Sequence, residues 1–193
     1  MAKSRRMGNA QSPTFDALID ATEQVIRDEG YAAATSRKIA TVAGVKQQLL
    51  YYYFRTMDDL LLATFQRRTS RALQQLEALV HARFPIEAIW QNLLNRVDAK
   101  LVFEFMALSN RHSGIRAEIS RFVVQSRRIE ADAISRQLER QGIATGLLTP
   151  ASISLIMFAI SLVLRREEAT GIAEGHAEVM AIVESLLGRA RPD

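Results

Sequence analysis

Apolar residues recur three and four positions apart along nearly the whole chain, and this periodicity constrains the fold more than any other feature. Phe15, Leu18, Ile19, Thr22, Val25 and Ile26 fall on one helical face before Gly30 interrupts the run. Strand signals are almost absent, so the spacing predicts an all-α protein of about nine helices. Capping residues divide it. Ser12-Pro13 and Thr149-Pro150 each set a hydroxyl before a proline in the first helical turn. Thr35 can cap a short second helix through Ala43, Gly44 can turn the chain in the left-handed conformation, and a third helix follows from Val45 to Phe54. Thr56 caps a fourth, with Asp58 and Asp59 where the helix dipole favours negative charge, and it is expected to run to about Arg83. Further helices are expected from Ile86 to about Arg96, over AKLVFEFMALSN and from about Gly114 to Gln141. Two more follow, separated by Gly171 and Gly175.

The chain has 193 residues, 48% of them hydrophobic, which is ample for packed cores. It has no cysteine, which excludes a disulfide scaffold and thiolate metal sites and fits a reducing cytoplasm. His81, His112 and His176 are too scattered to form a helical ligand pair, so no metal and no cofactor are expected. The opening MAKSRRMGNAQSP is basic but lacks the apolar run of a signal peptide, and ISLIMFAISLVL is too short to span a bilayer. A soluble cytoplasmic protein with no membrane partner is the expectation.

The formal net charge is +4, and its placement says more than its size. Residues 1–11 read as a basic flexible arm carrying Lys3, Arg5 and Arg6. Between Glu29 and Asp58 there is no acid, while Arg37, Lys38, Lys46 and Arg55 supply four cations. Within that window, two short helices around Gly44 have the helix-turn-helix spacing, in which the second helix enters the major groove of DNA. Val45, Leu50 and Phe54 form an inward set on the second of these helices. Lys46, Gln47, Gln48, Tyr51 and Tyr52 then point outward, with Tyr53 at the edge. Glutamine can pair with the N6/N7 edge of adenine, tyrosine can pack on a thymine methyl or donate to phosphate, and lysine and arginine neutralise phosphates. Core packing of the tyrosines is the rival reading, strongest for Tyr53.

The stretch GYAAATSRKIATVAGVKQQLLYYYFRTMDDLL, from Gly30 to Leu61, resembles the TetR-type bacterial transcriptional regulators. The resemblance covers about the first third of the chain. It implies a three-helix DNA-binding domain over 12–72, with the helix-turn-helix at 35–54, and a larger effector-binding and dimerisation domain over 73–193. Thr35, Ser36, Arg37, Lys46, Gln47, Gln48, Tyr51, Tyr52, Tyr53 and Arg55 are the implied DNA-binding set, with Leu50 and Phe54 as packing residues. Three positions depart from the family pattern. Lys46 stands where a Ser or Thr cap is common, Leu49 where a small residue is frequent, and Met57 where Lys is common.

Beyond the fourth helix the resemblance weakens. Trp90, Phe103, Phe105, Met106 and Met157 are candidates to line an effector cavity, and plain core packing is the alternative for each. Asn110, Arg111 and His112 are the polar candidates beside them, because apolar pockets orient ligands with a few polar groups, and a capped helix junction is the alternative, favoured for His112. The last two helices resemble the family's dimerisation element. Ile153, Ile156, Ile160, Val179, Ile182, Val183 and Leu186 are the expected interface.

Together these features lead to the expectation of a ligand-responsive repressor. It would bind a pseudo-palindromic double-stranded DNA operator as a homodimer, with an unknown, largely apolar small-molecule effector. A helical small-molecule enzyme is one rival, although no nucleophile motif, phosphate loop or metal spacing is present, so no catalytic residue is expected. A basic binder of anionic surfaces is the other.

Overall fold

A computed structural model describes residues 12–189; the expected basic arm over 1–11 lies outside them. Nine α-helices and no strand occur among the described residues. They are α1 (Pro13–Glu29), α2 (Ser36–Val42), α3 (Gln47–Tyr53), α4 (Met57–Leu79), α5 (Pro85–Arg96), α6 (Ala99–Ser109), α7 (Ser113–Gln141), α8 (Pro150–Glu168) and α9 (His176–Arg189). A short 3-10 turn over Tyr31–Ala33, not foreseen from periodicity, joins α1 to α2.

Local chemistry sets the boundaries. Ser12 holds an extended conformation and its Oγ accepts from the Phe15 amide at 3.2 Å, while Pro13 occupies the first turn. Gly30, at φ 84°, ends α1 by donating its amide to the Ile26 carbonyl at 3.0 Å. Thr56 and Asp59 form a reciprocal capping box before α4, each side chain accepting from the other's amide at 3.1 Å. α4 stops at Leu79, short of the expected Arg83, and Phe84 then leads into the proline that opens α5.

The described residues divide into two compact units, one running to Ser70 and joined by Lys100–Ile119, the other formed by Arg71–Ala99 and the residues from Ser120 on. The core of the first contains Leu18, Ile26, Ile39, Leu50, Phe54, Leu60 and Phe65, joined by Leu101, Phe105 and Leu108 of α6. Those last three recur at helical spacing, so α6 presents a stripe to this core although it lies beyond residue 72 in sequence. Polar contacts fasten it there. Glu104 accepts from the Tyr31 amide at 2.9 Å, and Lys100 Nζ donates to the Asp28 carbonyl at 3.0 Å. His112 lies 3.2 Å from the Asp58 carboxylate through Nδ1 and 3.4 Å from the Tyr31 hydroxyl through Nε2.

The second unit packs Leu76, Val80, Ile86, Ile89, Trp90, Leu93, Ala133, Ile134, Leu138, Met157 and Val183 together. No side chain caps α5 from the Phe84 position. Instead the buried Gln137 of α7 accepts from the Ile86 amide at 2.9 Å, satisfying a helix-start donor inside the core. Glu130 of α7 accepts from the Ser154 hydroxyl of α8, and burial pushes the Glu130 carboxyl above its usual range. No helix among the described residues is long and apolar enough to cross a membrane.

Candidate nucleic-acid interface

The turn between α2 and α3 is built from backbone hydrogen bonds. Gly44, at φ 67°, donates to the Thr41 carbonyl at 3.1 Å and Val45 to the Ala40 carbonyl at 2.9 Å. This pair of bonds is a Schellman motif, which requires a left-handed residue at Gly44, where a side chain would be strained. Thr35 starts α2 by accepting from the Lys38 amide at 3.3 Å. Lys46 precedes α3 in an extended conformation and offers no cap.

α3 has seven residues, too few to be stable alone. Tertiary burial holds it. Leu50 is fully buried, Phe54 at its end is 4% exposed, and the Phe54 ring stacks on Phe15 of α1 with centroids 5.0 Å apart. Val45 and Tyr53 pack against the same core from partly buried positions. Lys46, Gln47, Gln48, Tyr51 and Tyr52 are exposed. Leu49 is half-buried and, with Gly44, Val45, Lys46, Gln48 and Tyr52, lines a shallow surface depression.

Hydrogen bonds order this outward face. The Gln47 amide donates to Ser36 Oγ at 2.7 Å and the Tyr51 hydroxyl donates to the same oxygen at 3.1 Å. Tyr53 is held differently. Ser12 Oγ donates to its phenolic oxygen at 2.9 Å, so the phenol keeps its own proton for an external acceptor. Its ring meets Phe15 and Tyr52 edge-on.

The cations sort by partner. Arg67 pairs with Asp16 and Asp20, Arg68 with Glu23, and Lys38 with Glu29 at 2.8 Å. Arg37, Lys46 and Arg55 are exposed and form no ion pair among the described residues. Thr35 and Ser36, exposed and half-buried, stand beside Arg37 at the start of α2. A segment without acids, carrying three exposed cations that form no ion pair among the described residues and an exposed, hydrogen-bonded Gln/Tyr face, can hold phosphates and present amide and phenol groups to base edges.

The other candidates are placed as follows. Trp90 and Met157 lie in the second unit's core, and the Trp90 indole N–H has no hydrogen-bond partner among the described residues. Phe103, Met106, Asn110 and Arg111 are exposed residues of the first unit, and Phe105 lies in its core, so the pocket candidates are divided between the two units. Of the expected interface residues, Ile156, Ile182 and Leu186 are exposed. Val183 is buried, Val179 half-buried, and Ile153 and Ile160 pack partly against their own core. Leu155 and Val163 are also exposed. The position of Val163, seven residues after Ile156, is the sequence signal that could have found it.

Residues 18–64 match the sequence profile of bacterial regulatory proteins of the tetR family. A fatty acid metabolism regulator protein of Bacillus subtilis is 32% identical over 65 residues, 34% of each chain. The HTH-type transcriptional regulator BetI of Rhizobium meliloti is 44% identical over 50 residues, 26% of this chain and 25% of its own. The match thus spans about a third or less of these relatives' length. The crystal structure of a TetR transcription regulator from Haloarcula marismortui superposes with a TM-score of 0.72 at 17% identity, over 89% of this chain and 94% of that one. Residues 18–64 are therefore similar in sequence to the tetR family of bacterial regulatory proteins, and the all-helical chain that carries them has the fold of a TetR transcription regulator.

Proposed function

We propose that the protein is a transcriptional repressor that binds a pseudo-palindromic double-stranded DNA operator as a homodimer and responds to a largely apolar small molecule. The observation that carries this reading is the exposed face of α3, where Gln47 and Tyr51 are ordered by Ser36 above a buried Leu50. Side chains ordered in this way while facing water are suited to a polar partner with a fixed pattern of donors and acceptors. The major groove is such a partner. Two copies related by a two-fold axis would set two such helices on half-sites about one helical turn apart.

Exposed aliphatic residues on α8 and α9 support self-association. A ligand acts on DNA binding only if it favours one of two conformations; a coupling of about 1 to 3 kcal/mol changes operator affinity about 5- to 150-fold. α4, an unbroken helix from Met57 to Leu79, is the element we assign to carry that coupling. The action is binding rather than turnover, in the cytoplasm where DNA is accessible.

Selection of bound fragments from genomic DNA of the source organism tests the reading. The expected result is a set of fragments sharing one pseudo-palindrome, each protected over two half-sites. Recovery of fragments with no common sequence, together with binding to acidic vesicles at similar affinity, would instead make the protein a general binder of anionic surfaces.

A further inference from the structure

Ser36 is the first residue of α2, and its hydroxyl oxygen is the point at which the two helices of the motif are hydrogen-bonded through side chains. A serine hydroxyl has two acceptor lone pairs and one proton. Gln47 and Tyr51 occupy both acceptor positions, at 2.7 and 3.1 Å, so only the proton of Ser36 is left to face outward.

This arrangement changes what the two partners can offer. Gln47 commits one amide hydrogen to Ser36 and keeps its carbonyl oxygen and second hydrogen, the acceptor and donor that an adenine edge needs. Tyr51 commits its only proton. Toward the groove it retains an oxygen lone pair and a ring face, which suit a cytosine amino group or a thymine methyl and no acceptor. A glutamine on an exposed helix face otherwise samples several rotamers, and fixing it on binding costs affinity.

We propose that Ser36 is a positioning residue for base recognition, which fixes the Gln47 amide for an adenine edge and converts Tyr51 from a donor into an acceptor and apolar contact. The inference rests on the DNA-reading function proposed above. Ser36 specifies sequence through its neighbours, and its effect is confined to the base pairs they face.

The test compares the affinity of the full-length protein for its selected operator and for random DNA, with a panel of operators changed at one base pair each. Ser36→Ala leaves the Thr35 cap in place and introduces a strong helix former, so α2 keeps its start. The expected result is a fall of about tenfold in the operator-over-random ratio. The lost discrimination should fall on the base pairs that Gln47→Ala also relaxes. Ser36→Thr, which keeps the hydroxyl, should restore most of it. In a Gln47→Ala, Tyr51→Phe background, Ser36→Ala should have no further effect on the ratio.

An equal loss on operator and random DNA, or a full additional loss in the double-variant background, would make Ser36 a direct DNA contact and overturn the proposal. Failure of the function itself reads differently: the wild-type protein would then prefer no sequence, before any variant is compared.

Discussion

Among the surfaces that leave large side chains in water, those of α3 and of α8 with α9 differ in chemistry. α3 exposes Tyr51 and Tyr52 at 44% and 53%, flanked by Gln47 and Gln48. α8 and α9 expose Ile156, Val163, Ile182 and Leu186, the last two at 61% and 57%. Every residue in the first group carries a hydrogen-bonding group; none in the second does. An aliphatic face gains only by leaving water, at about 25 cal/mol per Å² buried, and in the proposed homodimer a second copy of the same face would provide that. The α3 face already satisfies part of its polar capacity internally through Ser36, and it matches a partner that is itself polar and patterned. Exposure alone would class the two surfaces together; the polar atoms separate them.

The largest effect is expected from a charge on the aliphatic face. Ile182→Asp should raise the dimer dissociation constant more than 100-fold, about 3 kcal/mol or more, because a carboxylate would be left in an apolar interface. Sedimentation equilibrium reads this directly, and operator binding should fail with it. The monomer should keep its fold, since Ile182 is mostly exposed within its own unit. A dimer that persists at micromolar concentration would assign the aliphatic face to another partner.

A smaller effect separates the two helices of the reading motif. Thr35→Ala removes the cap of α2 and should cost about 1 kcal/mol, visible as a lower melting temperature. Lys46→Ala removes no cap and should change stability by less than about 0.5 kcal/mol. Equal losses in the two variants would mean that Lys46 holds α3 in a way its geometry does not suggest.

The smallest is a pH effect in the second unit. Burial raises the Glu130 carboxyl, while the Ser154 hydroxyl and the Arg127 charge act against that shift. The folded state therefore holds this proton more tightly than the unfolded state. The resulting stabilisation is complete below the unfolded pKa, near the ordinary value of 4.5, and is lost as pH rises through the folded pKa. Glu130→Gln, which cannot ionise, should flatten that decline, as followed by thermal melts from acidic to neutral pH. An unchanged slope would place the carboxylate in a better-solvated setting.

Much of the helical frame was legible because its signals are local. Ser12-Pro13, Thr35, Thr56 and Thr149 mark helix starts by chemistry that needs no tertiary context, and Gly44 marks the turn through a backbone angle that favours glycine. The two faces of α3 were legible for the same reason, since Val45, Leu50 and Phe54 fall on one side at helical spacing. Packing across long sequence separation was not legible. Nothing local announces that Glu104 accepts from the Tyr31 amide, which associates α6 with the first unit, or that Gln137 caps the start of α5 from 51 residues away. The proposed pocket residues show the same limit. Apolar composition marks Trp90 and Phe103 alike, yet one is a buried core residue and the other is exposed. The sequence marks Ser36 only as a member of the expected DNA-binding set, whereas its position as acceptor to both Gln47 and Tyr51 depends on how α2 and α3 pack.

The central claim is that the outward face of α3 reads base sequence, and the most direct measurement is the affinity of Gln47→Ala for the selected operator and for random DNA at one salt concentration. Operator binding is expected to weaken by about 1 to 3 kcal/mol while random-DNA binding changes far less, so that the specificity ratio falls at least several-fold. Equal weakening on both DNAs would contradict it, because Gln47 would then be holding the phosphate backbone or the fold rather than a base.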